Sequence, residues 1–199
     1  PISDELDNYP LFTNDPVGDI DSIASPGLLH KYQGRVLLIN TGSCAINCRY
    51  CFRRNFPYAE LQLSKQQEMG AIDYIASDSS ITEVILSGGD PLLLSDARLS
   101  QLIEQIETIP HVQRIRIHSR LPIVLPARIT TELVTILETC SKKIILVVHC
   151  NHANEINERV EAAFTLLINK GITLFNQSVL LKGVNDHVQV LCSLSDKMF

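Results

Sequence analysis

Three cysteines lie close together in the first third of the chain, at Cys44, Cys48 and Cys51. Thiolates bind soft metals and iron–sulfur clusters, and the C-x3-C-x2-C spacing lets a single loop supply all three ligands. A structural zinc site normally needs four protein ligands, and no fourth cysteine or histidine follows at short spacing. A four-iron cluster held by three cysteines leaves one iron open to a small ligand. The spacing therefore predicts such a cluster, with zinc or unliganded thiols as the alternatives.

Polar and glycine residues follow four other apolar segments that we predict to be strands. Because ligand sites of parallel α/β folds lie at the carboxyl ends of the strands, these loops are expected to meet on one rim. Loops are commonly polar for other reasons, but the recurrence after every strand favours an active site. The loops are Gly88-Gly89-Asp90-Pro91, His118-Ser119-Arg120, His149-Cys150-Asn151-His152 and Lys182-Gly183-Val184-Asn185-Asp186.

The elements that must position these loops alternate between strand and helix along the chain. Short apolar, β-branched runs predict strands, and apolar residues at helical spacing predict the helices between them. Such alternation implies a parallel sheet with right-handed crossovers, in a closed barrel, a partial barrel or an open doubly wound sheet. Residues 1–30 are rich in Asp, Asn, Pro and Ser and predict an irregular lead-in. The predicted strands are 35–40, 83–87, 111–118, 143–148 and 172–181. Two of the predicted helices span 64–77 and 130–140. Of the other three, one begins at a cap formed by Ser95 or Asp96, one begins at the cap Asn154 and stops at Gly171, and one begins near Asp186.

Length and composition exclude several classes of protein. The chain has 199 residues, which is short for a complete eight-fold barrel of about 250 residues. The net charge of −5 and the absence of a basic block give no support for nucleic-acid binding. The longest apolar runs, such as residues 144–148, are far below the roughly 18 residues of a membrane span. The chain starts at Pro1, and a helical pattern still runs at Phe199, so we expect it to be cut at both ends.

The cysteine spacing after the first predicted strand resembles the signature of the radical S-adenosylmethionine (SAM) superfamily, and Tyr50 before the last cysteine also fits. In that family, SAM chelates the open iron of a [4Fe-4S] cluster and is cleaved to a 5′-deoxyadenosyl radical. Gly88, Gly89 and Asp90 are similar to the element that holds the methionine amino group. The resemblance implies a partial, six-unit TIM-like barrel of the α/β class, with about five β/α units present in a core over residues 31–199.

Further segments resemble the lysine 2,3-aminomutase family, and the bacterial branch that β-lysylates elongation factor P in particular. They are residues 26–32, 32–38, 48–60, 117–130, 151–155 and 176–186. The resemblance implies a cytoplasmic isomerase that uses pyridoxal 5′-phosphate (PLP) to convert L-α-lysine to β-lysine. It also implies an electron donor such as a flavodoxin or ferredoxin and no nucleic-acid or membrane partner. It does not decide between a monomer and a homo-oligomer.

The same resemblance implies roles for single residues. Cys44, Cys48 and Cys51 match the cluster ligands. Arg35 matches an arginine at the PLP phosphate, Arg53 the arginine that binds the substrate carboxylate, and Asp186 a carboxylate that binds the lysine ε-ammonium. The alternatives are a solvated arginine at a strand start, a basic loop and a helix N-cap, respectively. Residues on matching strand ends are expected to contact SAM, namely Ser119, Arg120, Asn151 and Gln177.

The lysine that anchors PLP in this family lies downstream of the segment that ends at Asp186, and no lysine of this chain matches it. We therefore expect the chain to hold the cluster and SAM half of the site and to be inactive alone. Two alternatives remain open: a radical SAM enzyme without PLP, and a non-catalytic iron–sulfur or zinc-binding module.

Overall fold

A computed structural model, which describes residues 10–58 and 64–198, contains seven strands and six helices in these ranges, and from the third strand onward helices separate successive strands. The strands are β1 (Ile23–Ser25), β2 (Leu28–Tyr32), β3 (Arg35–Thr41), β4 (Glu83–Gly88), β5 (Arg114–Ser119), β6 (Lys143–Val148) and β7 (Thr173–Asn176). The helices are α1 (Lys65–Ser77), α2 (Asp96–Glu107), α3 (Leu121–Val124), α4 (Thr131–Thr139), α5 (Glu158–Asn169) and α6 (Val188–Met198).

The strands form one sheet whose spatial order follows the chain from β1 to β7. The β1–β2 and β2–β3 pairs are antiparallel, and every pair from β3 to β7 is parallel. A doubly wound sheet reverses its strand order at a switch point, whereas this order runs in one direction throughout the described residues. The predicted partial barrel of the α/β class is therefore confirmed.

The outer face of the sheet forms the main hydrophobic core with the helices. Strand side chains alternate between faces, so Val84 and Leu86 of β4 and Ile115 and Ile117 of β5 point outward. All four are buried in the same cluster as the apolar stripes of α2, α4 and α5. This packing leaves the inner face, which carries the intervening residues of each strand, available for a site.

Short-range signals start and stop several helices as predicted. The Ser64 hydroxyl and the Gln67 side chain form a reciprocal capping box at α1, and Ser95 caps α2. Gly171 follows α5 with φ of 77°, a backbone conformation that glycine adopts without strain. The predicted cap of α5 was wrong, because Asn157 rather than Asn154 accepts the first backbone amides. Residues 153–155 form a separate 3-10 turn that His152 caps.

Other boundaries also differ from the prediction. Residues 20–32 are not irregular, since a 3-10 turn, β1 and β2 extend the sheet beyond β3. The last strand ends at Asn176 instead of residue 181, because the Asn176 and Ser178 side chains bind the Cys150 backbone there and end the ladder. Residues 1–9 of the lead-in, residues 59–63 and Phe199 lie outside the described residues. None of the helices within the described ranges is long and apolar enough to cross a membrane.

Candidate functional site

A cavity of about 300 Å³ opens at the carboxyl ends of the parallel strands. Nearly all the predicted site residues line it, although they come from loops far apart in the chain. The predicted residues on its wall are Cys44, Cys48, Cys51, Arg53, Gly88, Gly89, Asp90, Ser119, Arg120 and Gln177. Apolar side chains complete the wall, among them Leu37, Ile46, Phe52, Ile85, Val124 and Val179.

The three cysteines lie on the loop after β3, and their thiols are free. Desolvation, together with Asp90 and the other two cysteines, raises the pKa of Cys44 to about 11. Within residues 10–58 and 64–198, no three His, Cys, Asp or Glu side chains are already arranged around a common metal position. The donor set nevertheless fits an iron–sulfur cluster, because three thiols share one cavity wall and metal binding deprotonates thiols.

The glycines after β4 allow the next loop to pack directly on the backbone of the cysteine loop. The Gly89 amide donates to the Thr41 carbonyl at 2.8 Å, and the Asp90 amide donates to the Ser43 carbonyl at 2.8 Å. A Cβ atom on Gly89 would lie 2.2 Å from the Ser43 carbonyl oxygen, so no side chain fits there. Gly88 has φ of 110°, which also favours glycine. The glycine pair therefore sets the position of the segment that enters the cysteine motif.

The Asp90 carboxylate is buried and accepts four hydrogen bonds. Oδ1 accepts from the Ser119 hydroxyl at 2.6 Å and the Leu92 amide at 3.1 Å. Oδ2 accepts from the Arg120 amide at 2.9 Å and the Leu121 amide at 3.2 Å. The sequence suggested that this acidic side chain suits an ammonium group. In the structure it joins the β4 loop to the loop after β5.

Arg120 connects that second loop to the cysteines. Its Nη1 donates to the Cys48 sulfur at 3.1 Å and also contacts the Tyr50 hydroxyl. Its Nη2 pairs with Glu155 at 2.9 Å, and the other Glu155 oxygen accepts from the Asn151 amide at 2.7 Å. Burial raises the pKa of Tyr50 to about 12 although the Arg120 charge opposes this change. A guanidinium group thus stands directly beside one predicted cluster ligand.

Asp19 and Ser87 hold one side of the Arg53 guanidinium group. Its Nε donates to the buried Asp19 carboxylate at 2.7 Å, and its Nη1 lies 3.4 Å from the Ser87 hydroxyl. The guanidinium carbon lies 4.7 Å from the centre of the Phe52 ring. Because Nε is already bonded to Asp19, the Nη donors that remain can form a bidentate contact with a carboxylate.

Two histidines occupy the wall between β5 and β6. His149 Nε2 and His118 Nδ1 are 3.4 Å apart. Burial, followed by the His149 and Arg116 charges, lowers the pKa of His118 to about 3, and burial also lowers the pKa of His149. Both imidazoles are therefore neutral near pH 7.

Sequence reasoning missed three residues at this site. Arg116 lines the cavity, and its period-two spacing from His118 was the signal that could have found it. The Tyr58 hydroxyl donates to the Gly88 carbonyl at 2.7 Å, and its ring packs on Gly42. Asp19, which orients Arg53, has no signal in the local sequence.

The structure does not bring three predicted residues to the cavity wall. Arg35 lies at the exposed start of β3, with its guanidinium carbon 5.7 Å from the centre of the Tyr32 ring. The Asp186 carboxylate accepts the Gly183 amide at 3.0 Å in the loop before α6. The Asn151 side chain accepts the Val179 amide at 2.8 Å, so it supports the rim from behind.

Comparison with known proteins provides a separate line of information. The sequence pattern of the radical SAM superfamily matches residues 38–193. The chain is 51% identical over 196 residues to L-lysine 2,3-aminomutase of Escherichia coli (strain K12), covering 98% of this chain and 57% of that protein. It is 43% identical over 199 residues to L-lysine 2,3-aminomutase of Clostridium subterminale, covering 100% of this chain and 48% of that protein. The chain thus spans about half the length of these curated relatives.

Proposed function

The chain belongs to the radical SAM superfamily, and from that membership we propose that the protein carrying it is a lysine 2,3-aminomutase. The reaction moves the α-amino group of L-lysine to the neighbouring β-carbon. The observation that carries the proposal is that one cavity joins the three-cysteine loop to the guanidinium group of Arg53. The relatives named L-lysine 2,3-aminomutase support the choice of substrate.

Cys44, Cys48 and Cys51 would hold the [4Fe-4S] cluster. When bound, the cluster supplies the electron that cleaves SAM to a radical able to abstract a hydrogen atom. The chain's own residues prepare the surroundings. Gly88 and Gly89 give a ligand close access to the backbone, and Asp90 locks the loop that carries Ser119 and Arg120.

Arg53 would bind the lysine carboxylate. Asp19 and Ser87 restrain its guanidinium group before the substrate arrives, so less conformational freedom is lost on binding. The neutral His118 and His149 line the same cavity and add no positive charge that would compete with Arg53 for the carboxylate. A carboxylate on Arg53 would therefore place the adjacent α- and β-carbons inside the cavity.

PLP dependence is part of the proposal, because the segments that resemble the aminomutase family include Arg35 and Arg53. When bound, PLP supplies a conjugated ring that stabilises the unpaired electron during the amino-group shift. We also propose, on the branch resemblance, that the product is free β-lysine for the modification of elongation factor P. A small reduced iron–sulfur protein or flavoprotein would supply the electron.

The test is anaerobic reconstitution of the natural protein that contains this chain, followed by reduction with SAM and lysine. We expect about four irons per chain, 5′-deoxyadenosine and β-lysine. Cys48→Ala should abolish all three, whereas Cys192→Ala, an exposed thiol outside the cavity wall, should abolish none. Iron-free protein would refute the proposal in favour of a non-catalytic module. Deoxyadenosine without β-lysine would indicate a radical SAM enzyme with a different substrate.

A further inference from the structure

Glu155 holds the Arg120 side chain from outside the cysteine loop. Arg120 donates through Nη1 to the Cys48 sulfur at 3.1 Å and contacts the Tyr50 hydroxyl, and both partners lie on that loop. Its Nη2 donates to Glu155 Oε2 at 2.9 Å. Within the described residues its Nε is buried without a hydrogen-bond partner, so the two terminal nitrogens orient the guanidinium group. The contact with Glu155 is the one that ties this group to a different part of the fold.

The other oxygen of Glu155 is bound to the backbone after β6. Oε1 accepts from the Asn151 amide at 2.7 Å and from the His152 amide at 3.0 Å. The Glu155 amide in turn donates to the His152 carbonyl at 3.0 Å. Asn151 is only 3% exposed, and its carbonyl accepts from the Asn185 side chain at 2.8 Å. The carboxylate therefore has a fixed position on a buried, hydrogen-bonded base.

The ion pair between these two side chains is largely shielded from water. The Arg120 side chain is 20% exposed and the Glu155 side chain is 24% exposed. A mostly buried cation that loses its anion gains free energy by moving towards water. Without the carboxylate, the guanidinium group should therefore turn away from Cys48.

The position of this guanidinium group bears on the cluster proposed for the cysteine loop. Reduction adds one electron, and so one negative charge, to the irons and sulfurs. Hydrogen bonds to the sulfurs and nearby positive charge stabilise the reduced form and raise the reduction potential. The charge of Glu155 by itself acts in the opposite direction, because a negative charge near the cluster disfavours the added electron.

We propose that Glu155 is a positioning residue that holds the Arg120 guanidinium group against Cys48 and thereby raises the reduction potential of the cluster. This inference rests on the proposed function, which places a [4Fe-4S] cluster on the three cysteines. Arg120 lines the cavity and Glu155 does not, so Glu155 acts on the cluster through the guanidinium group. Its effect is to make the cluster easier to reduce by the electron donor.

The experiment measures the midpoint potential of the reconstituted cluster in the natural protein that contains this chain. The titrant is dithionite, SAM is left out, and the reduced cluster is followed by electron paramagnetic resonance. Glu155→Gln keeps an oxygen for the two backbone amides, so its NH2 group faces Arg120 Nη2, which is also a donor. We expect the equilibrium constant for one-electron reduction to fall about three- to tenfold, which lowers the potential by about 28–59 mV. The iron content should stay at about four per chain.

Two further variants separate positioning from other roles. Glu158→Gln is the matched control, because it makes the same chemical change at an exposed position of α5. It should change the equilibrium constant by less than about 1.5-fold. Arg120→Gln should lower the potential at least as far as Glu155→Gln. The double variant Glu155→Gln/Arg120→Gln should fall no further than Arg120→Gln, because no guanidinium group is left to position.

Several results would overturn the positioning role alone. An unchanged or raised potential in Glu155→Gln would do so, since loss of the carboxylate charge by itself raises the potential. An equal decrease in Glu158→Gln, or additive decreases in the double variant, would show that the effect does not pass through Arg120. Loss of iron in Glu155→Gln would assign the residue to support of the loop instead. In these cases, a wild-type cluster that cleaves SAM would leave the proposed function standing, whereas wild-type protein that binds no iron would overturn both.

Discussion

Replacing Asp90 by asparagine tests whether this carboxylate ties the site together. The change keeps the size of the side chain and one oxygen, but an NH2 group replaces the other oxygen. If the NH2 group faces Arg120 and Leu121, two of the four donors around Asp90 face a donor instead of an acceptor; if it faces Ser119 and Leu92, the Ser119 hydroxyl can turn and accept, and only the Leu92 amide loses its acceptor. With the oxygen kept towards Ser119, the affected donors are the backbone amides of Arg120 and Leu121.

The magnitude follows from the number and burial of these contacts. Hydrogen bonds to a charged group contribute about 1.5 kcal/mol or more each, so losing one or two costs about 1.5–3 kcal/mol. Asp90 is only 6% exposed, which prevents water from replacing the lost acceptor. In a domain of this size, 1 kcal/mol shifts the unfolding midpoint by roughly 2–4 °C, so we expect a decrease of about 3–12 °C.

Thermal unfolding followed by circular dichroism measures this decrease. Asp73→Asn is the matched control, because it makes the same chemical change at an exposed position of α1. The control should change the free energy of unfolding by less than about 0.5 kcal/mol. An Asp90→Asn midpoint within about 2 °C of the wild type would refute the reasoning that this carboxylate joins the two loops.

Three other outcomes follow from the site. Gly89→Ala should lower the amount of iron bound after reconstitution and decrease the free energy of unfolding by about 1–3 kcal/mol, because the new Cβ would displace the cysteine loop. Gly70→Ala is the control, because Gly70 faces open space on α1, and it should stabilise the fold by about 0.5–1 kcal/mol. Equal losses of iron in the two variants would contradict this prediction. Burial lowers the pKa of His118 from 6.5 to about 3, so the unfolded chain binds protons first on acidification. The free energy of unfolding should therefore fall from pH 6.5 towards pH 3 by up to about 1.4 kcal/mol per pH unit, and less steeply in His118→Asn. Equal slopes in the wild type and His118→Asn would show that the folded protein leaves this imidazole accessible to protons. Asp19→Asn should raise the KM for lysine by about fivefold with kcat within about twofold, since it loosens the Arg53 guanidinium; a selective loss of kcat would speak against this positioning role.

Local chemistry accounts for what could be predicted from the sequence. The capping box of Ser64 and Gln67 involves residues three positions apart, and Gly171 acts through its own backbone. The cysteine spacing is likewise contained in one loop. The apolar periods predicted the β/α alternation because each strand and helix buries one face. Where two adjacent caps competed, as at Asn154 and Asn157, the local signal was insufficient.

By itself, the sequence determined the set of reactive groups, the order of the elements and the rim on which most site residues lie. Only the tertiary structure decided how those groups are used. It saturated Asp90 with donors from a distant loop, paired Arg53 with Asp19, and placed Arg116 rather than Arg35 on the cavity wall. The physical reason is that burial, charge compensation and hydrogen-bond saturation depend on residues that are remote in the chain, and the strand register brings them together.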